Sequence, residues 1–115
     1  MNDTDQIEVT TEVLEGTTII KPIGEIDLSR APSLRHHLNE AQAAKPGTLV
    51  IDLAEVPYMD SSGVATLVEA MQIARRNKSR IILCSMQERV KSIFEIARLD
   101  AVFTIVENRE IALET

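Results

Sequence analysis

The sequence predicts a single α/β domain, an N-terminal β-hairpin followed by alternating helices and mostly parallel strands. Three observations carry that expectation. Thr48-Leu49-Val50-Ile51-Asp52-Leu53 and the run from Arg80 to Ser85 are almost continuously apolar, the pattern of strands buried on both faces of a parallel sheet. Between them Val64, Leu67, Val68 and Met71 recur at i, i+3, i+4 and i+7, one face of a helix. Near the start, two runs rich in β-branched residues flank Glu15-Gly16, which reads as a hairpin turn.

Taken in order, residues 1–6 read as a flexible N-terminal tail and residues 7–115 as the domain. Ile7 to Leu14 is the first strand and Thr17 to Ile23 the second, paired antiparallel. Pro22 points to an edge or a bulge near the end of the second strand. Gly24-Glu25-Ile26-Asp27 then leads through Leu28-Ser29-Arg30 into a helix whose face is Ala31, Leu34, Leu38 and Ala41. Lys45-Pro46-Gly47 ends it. The second helix opens near Ser62 and ends at Arg75-Arg76-Asn77-Lys78, cations that suit the negative end of the helix dipole. Val90, Ile93, Phe94 and Ala97 predict a third helix over about residues 87–98. Phe103 to Val106 is a last short strand, and Arg109 to Leu113 adds a helical turn. Ile96 and Leu99 fall outside the main stripe of the third helix and are expected to pack under the C-terminal segment rather than mark an interface.

The chain has 115 residues, enough for one core. Apolar residues make up 44% and aromatics only 3%, so the core is aliphatic. A net charge of −6 argues against nucleic acid, which needs clustered cations to neutralise phosphates. No apolar run reaches the roughly 18 residues of a membrane span, and the N-terminus is acidic and polar, unlike a signal peptide. The lone cysteine, Cys84, lies within an apolar run and reads as a core residue; its solitude fits a reducing cytoplasm. A cytoplasmic protein with no membrane insertion is expected.

Nothing predicts catalysis by the chain alone. The nucleophile elbow Gly-x-Ser-x-Gly fails at Ser61, preceded at that spacing by Met59, and at Ser62, preceded by Asp60. His36 and His37 are adjacent on a helix, so they point apart and do not form an i, i+4 metal pair. No cofactor, metal site or enzymatic activity is expected.

The unusual stretch is Asp60-Ser61-Ser62-Gly63, at a strand-to-helix junction. The ordinary reading is that Asp60 or a serine caps the helix. A cap needs one residue, however, and here one hydroxyl is in surplus. Gly63 leaves the first turn bare for the approach of a partner or a phosphoryl group. A phosphate at this place would meet free N–H groups and the helix dipole, adding charge without melting the helix. Gly24-Glu25-Ile26-Asp27 most often means a solvated turn with Asp27 or Ser29 as cap. In a parallel sheet both loops follow strand C-termini, so Asp27 and Ser61 are expected to be neighbours.

The two motifs together resemble the STAS domain family: Met59-Asp60-Ser61-Ser62-Gly63 after Val50-Ile51-Asp52-Leu53, and Gly24-Glu25-Ile26-Asp27 before Leu28-Ser29-Arg30-Ala31-Pro32-Ser33-Leu34. Within it the chain resembles stand-alone anti-sigma factor antagonists of bacteria, over about residues 7–113. The resemblance implies partner switching. The unphosphorylated form binds an anti-sigma factor that is also a serine kinase, which frees a sigma factor and affects transcription. The kinase uses ATP to phosphorylate the antagonist, and a serine phosphatase resets it. On that resemblance Ser61 is the phosphoacceptor, Ser62 its neighbour and helix cap, and Asp27, Asp60, Gly24 and Gly63 belong to the partner-binding surface. Family members often continue Gly-Leu-Gly where this chain has Gly63-Val64-Ala65. Other lone STAS domains are subunits of phospholipid-transport ABC complexes or of stress-signalling assemblies, the alternative reading.

Overall fold

The computed structural model describes residues 5–115. Its elements are β1 (Glu8–Leu14), β2 (Thr17–Ile23), α1 (Ala31–Ala43), β3 (Thr48–Asp52), α2 (Ser61–Arg76), β4 (Arg80–Cys84), α3 (Glu88–Ile96), β5 (Thr104–Val106) and α4 (Arg109–Glu114), with a 3-10 turn at Leu99–Ala101. The five strands form one sheet in the order β1-β2-β3-β4-β5. Only β1 with β2 is antiparallel; the other three pairs are parallel. The expected fold class is the observed one. Of the predicted tail, residues 1–4 lie outside the described residues, and Gln6 Oε1 accepts from Ser33 Oγ of α1.

The strand order explains where the helices lie. Each crossover from β2 onward steps the same way across the sheet, and crossovers of one hand then put every connecting helix on one face. α1, α2 and α3 accordingly bury Leu34, Leu38, Leu67, Met71, Val90 and Phe94 against Ile20, Leu49, Ile51 and Leu83. The alternate strand residues Ile19, Val50, Ile82 and Cys84 point to the opposite face, where Ala112 of α4 covers them. The strands alternate faces as any strand does; two covered faces make the runs read as continuously apolar. Cys84 is fully buried, and desolvation first, then Asp52, pushes its thiol pKa up.

Two expectations need correction. β2 is an interior strand, not an edge, since β1 and β3 flank it. Pro22 is tolerated because the β2–β3 register breaks there, between Ile20↔Ile51 and the isolated bridge Ile23↔Glu55. Three steps on β2 oppose four on the partner, which is the bulge expected as the alternative to an edge; the ladder with β1 runs on through Val9↔Pro22, and only on the β3 side is there no regular ladder for a missing N–H to interrupt. Ile96 does not pack under the C-terminal segment. It is 84% exposed, because α3 ends there and Arg98 turns the chain through a positive φ of 60°. Only Leu99 packs against the core.

Candidate functional site

The loops after β2 and β3 are joined into one structure at the edge of the sheet. Gly24 N–H donates to Glu55 O at 2.9 Å, Ile26 N–H to Tyr58 O at 3.0 Å, and Asp60 N–H to Ile26 O at 3.1 Å. Ile26 and Met59 pair across this extension and are fully buried beneath it. The main-chain bonds therefore bring Gly24-Glu25-Ile26-Asp27 beside Met59-Asp60-Ser61, as the topology predicted. Gly24 has a φ of 109°, a conformation that favours glycine. A Cβ there would also lie 2.7 Å from Arg30 Nη1, which donates to Glu25 O.

Asp60 is the N-cap of α2. Its Oδ1 accepts from Ser62 N–H at 3.0 Å, from Gly63 N–H at 3.3 Å and from the Ser62 hydroxyl. Its Oδ2 accepts from Leu28 N–H at 3.1 Å, across to the other loop. One carboxylate thus caps the helix and ties the two motifs together. The hydrogen bond from Ser62, with those from Gly63, Ser62 and Leu28 N–H, outweighs desolvation and holds its pKa below the ordinary aspartate value. Asp27 does the same for the turn into α1. Its Oδ1 accepts from Ser29 Oγ at 2.7 Å and from Ser29 and Arg30 N–H at 3.1 Å. The Ser29 bond is the first cause of its lowered pKa. Both carboxylates are ionised at neutral pH.

The two serines have different roles. Ser62 does not cap the helix, as the resemblance implied; it is the residue capped, with its N–H and its hydroxyl both given to Asp60. Ser61, the first residue of α2, is exposed. Its hydroxyl makes no hydrogen bond to any described residue.

The expected free N–H groups at the helix start are mostly occupied. Ser62 and Gly63 N–H go to the Asp60 carboxylate, and Val64 N–H goes to Asp60 O at 3.1 Å. A phosphate on Ser61 would find these N–H groups already bound to Asp60 rather than an empty cradle.

Gly63 also differs from expectation. It is buried, and a Cβ there would stand 2.9 Å from Ile26 Cγ2, 3.0 Å from Met59 Cβ and 3.1 Å from Ile26 O. Glycine lets the first turn of α2 press against the two joined loops; it does not open a path for a partner. Ala65, the departure from the usual Gly-Leu-Gly, is exposed on the next turn.

A STAS domain model matches residues 8–112. The chain belongs to the STAS domain family. This STAS domain is 37% identical over 82 residues to an anti-sigma-B factor antagonist of Listeria monocytogenes, covering 71% of this chain and 72% of the relative. Its fold is similar to that of an anti-sigma factor antagonist from Mycobacterium paratuberculosis, with a TM-score of 0.87 at 24% identity over 99% and 97% of the two chains. It is also similar to the Bacillus cell fate determinant SpoIIAA in its phosphorylated form, with a TM-score of 0.70 at 21% identity over 94% and 96%. No described helix of the STAS domain is long and apolar enough to cross a membrane.

Sequence reading missed three residues at this edge. Leu28 is 75% exposed beside Asp60. Arg89 of α3 stacks over the Tyr58 ring at 5.1 Å, and Gln87 Nε2 donates to Ala54 O at 2.9 Å. The hydropathy of Leu28 predicts burial, and no local spacing links residues 54 and 58 to residues 87 and 89.

Proposed function

We propose that this STAS domain is an anti-sigma factor antagonist that acts by partner switching, with Ser61 as its phosphoacceptor. Unphosphorylated, it binds an anti-sigma factor serine kinase and so frees a sigma factor; phosphate on Ser61 ends that binding, and a serine phosphatase restores it. One observation carries the choice of residue. Of the two adjacent serines, Ser62 is committed to Asp60, while the Ser61 hydroxyl is exposed and unbonded among the described residues. The 37% identity to an anti-sigma-B factor antagonist supports the class of partner, and the likeness to a phosphorylated SpoIIAA supports a covalent switch on this fold.

The chemistry follows from the neighbours. A phosphoserine carries about −1.5 to −2 charges. On Ser61 it would stand beside the ionised Asp60 and Asp27, adding like charge and bulk to a docking surface without requiring the domain to refold. The domain acts by binding, and the chemical step belongs to the kinase and the phosphatase.

The test is a paired pull-down from lysate of the host, with wild type and Ser61→Asp as baits and mass spectrometry as readout. A histidine-kinase-like ATPase held by wild type and lost by Ser61→Asp is the expected result. The same ATPase held equally by both would remove Ser61 from the switch. ABC-transporter subunits held equally by both would replace the proposal with the transporter-subunit reading.

A further inference from the structure

A second recess lies between α3 and β5, apart from the two serines. It is a cleft of about 440 Å³ lined by Met86, Glu88, Lys91, Phe94, Glu95, Asp100, Ile105, Val106 and Glu107. Its volume falls in the range of roughly 300–1,000 Å³ found for ligand clefts. It opens where the chain leaves β4 and β5, at Met86 and Glu107, beyond the carboxyl ends of parallel strands, where ligands of open α/β sheets bind.

The lining has two parts. The floor is apolar: Met86, Ile105 and Val106 are half-buried and line it, packed over Phe94, which is fully buried and stands edge-on to Phe103 at 5.6 Å. The rim is acidic, with Glu88, Glu95, Asp100 and Glu107 against the one cation Lys91. All four carboxylates are exposed, and none makes an ion pair or a side-chain hydrogen bond within the described residues. By contrast Arg35 holds Glu69, His36 holds Glu40, and Arg109 holds Glu12 and Asp52. Glu88 and Glu95 stand two turns apart on one side of α3, about 10 Å along its axis. That is the length of about three residues of extended chain.

We infer that this cleft docks a short basic segment of a partner protein, one that places an aliphatic anchor on the floor of Met86, Ile105 and Val106 and Lys or Arg side chains against the carboxylate rim. Charge complementarity selects this occupant. An anionic ligand, a nucleic acid or an acidic membrane surface would meet unpaired carboxylates, whereas a cationic segment neutralises them and leaves the floor covered. The site is separate from Ser61 and stands whether or not that residue is phosphorylated.

The experiment uses the full chain, labelled with 15N, titrated with the blocked peptide Arg-Arg-Leu-Leu-Arg-Arg and, as control, Glu-Glu-Leu-Leu-Glu-Glu. The expected result is saturable shifts of amides from Met86 to Glu107 with the basic peptide only, binding that weakens as salt is added, and about tenfold weaker binding by Glu95→Lys with Glu107→Lys. Those side chains are exposed, so the spectrum of the variant is expected to keep the wild-type dispersion. Should the variant unfold, Glu95→Gln with Glu107→Gln takes its place, with the same direction and a smaller loss. Shifts centred on Asp27 and Asp60, shifts spread over the whole acidic surface, or equal binding of both peptides would overturn the proposal.

Discussion

Asp52 and Asp60 stand eight residues apart and are held in opposite ways. Asp52, at the end of β3, is 5% exposed. Its Oδ2 is bound by Arg109 of α4, with Nη2 at 3.1 Å and Nε at 3.2 Å, and its Oδ1 accepts from Ala54 N–H. The same guanidinium reaches Glu12 of β1 at 3.0 Å, so one cation ties α4, β1 and β3 together. Burial weakens the Arg109 charge, but its bonds to Glu12 and Asp52 outweigh that and raise its pKa. Among the described residues no cation forms an ion pair with Asp60; backbone N–H groups and a hydroxyl hold it. A carboxylate neutralised inside the protein serves the fold. A carboxylate held ionised at the surface leaves its field available to whatever approaches or is attached beside it.

The largest effect is expected at the buried pair. Arg109→Ala leaves Asp52 without its cation. Breaking a fully buried pair costs about 3–5 kcal/mol. Here the Arg109 side chain is 30% exposed, and Asp52 keeps its bond from Ala54 N–H. A loss of about 2–3 kcal/mol is expected, read from the urea midpoint. Arg109→Leu with Asp52→Leu should lose less than Arg109→Ala alone, because no buried charge remains. A single variant as stable as the double would mean that Asp52 is solvated in solution and the contrast between the two aspartates is not one of burial.

Gly63→Ala comes next. The added methyl meets Ile26 Cγ2 at 2.9 Å and the rigid Ile26 carbonyl at 3.1 Å. Overpacking of this kind costs about 1–3 kcal/mol, offset by up to about 1 kcal/mol from alanine's better helix propensity. A net loss of about 1–2 kcal/mol by urea denaturation is expected. A neutral or stabilising result would restore the reading of Gly63 as an open approach to the helix.

Asp60→Ala removes an N-cap and the bond to Leu28 N–H, for a loss of about 1 kcal/mol at pH 7. Its pH dependence follows from the lowered pKa. A carboxylate whose folded pKa is depressed contributes stability that is present above its unfolded pKa, near 3.9 for aspartate, and is lost as pH falls through the folded value. The gap between wild type and Asp60→Ala should hold from pH 7 down to about pH 4 and close below it. A gap that stays constant well below pH 4 would mean that the cap does not depend on the ionised form.

How much of this the chain discloses depends on the range of the interaction. Local patterns located the strands and helices: helical spacing for α1 to α3, continuous apolar runs for β3 and β4, and β-branched runs about a turn for β1 and β2, because each of these signals lies within one segment. They misplaced Ile96, since α3 ends through a positive φ at Arg98, a residue that carries no glycine-like signal. The cluster Asp60-Ser61-Ser62-Gly63 was legible as a junction, but the division of labour within it was not. Which group caps depends on the φ of −94° and ψ of −172° at Asp60 and on Ile26 pressing from another loop, a long-range packing fact. The Asp52–Arg109 pair spans 57 residues, and no local pattern announces it. Glu88, Glu95, Asp100 and Glu107 likewise read as scattered surface charges until the turn after α3 brings them around one cleft.

The smallest effect is expected within the serine pair, where it discriminates most. Ser62→Ala removes the hydroxyl bonded to Asp60, and one hydrogen bond to a charged group is worth about 1.5 kcal/mol when buried and less at this half-buried place. A loss of about 0.5–1 kcal/mol is expected. Ser61→Ala removes a hydroxyl with no partner among the described residues, so its effect should stay within about 0.5 kcal/mol of zero. Two urea midpoints decide the order. If Ser61→Ala were the more destabilising, Ser61 would be the structural hydroxyl, and the case for it as the available acceptor would pass to Ser62. If the expected order holds, the domain has separated two neighbouring hydroxyls by a single carboxylate. Asp60 fixes Ser62 in the cap and leaves Ser61 free, so modification of Ser61 changes the surface while the fold keeps the hydrogen bonds that begin α2.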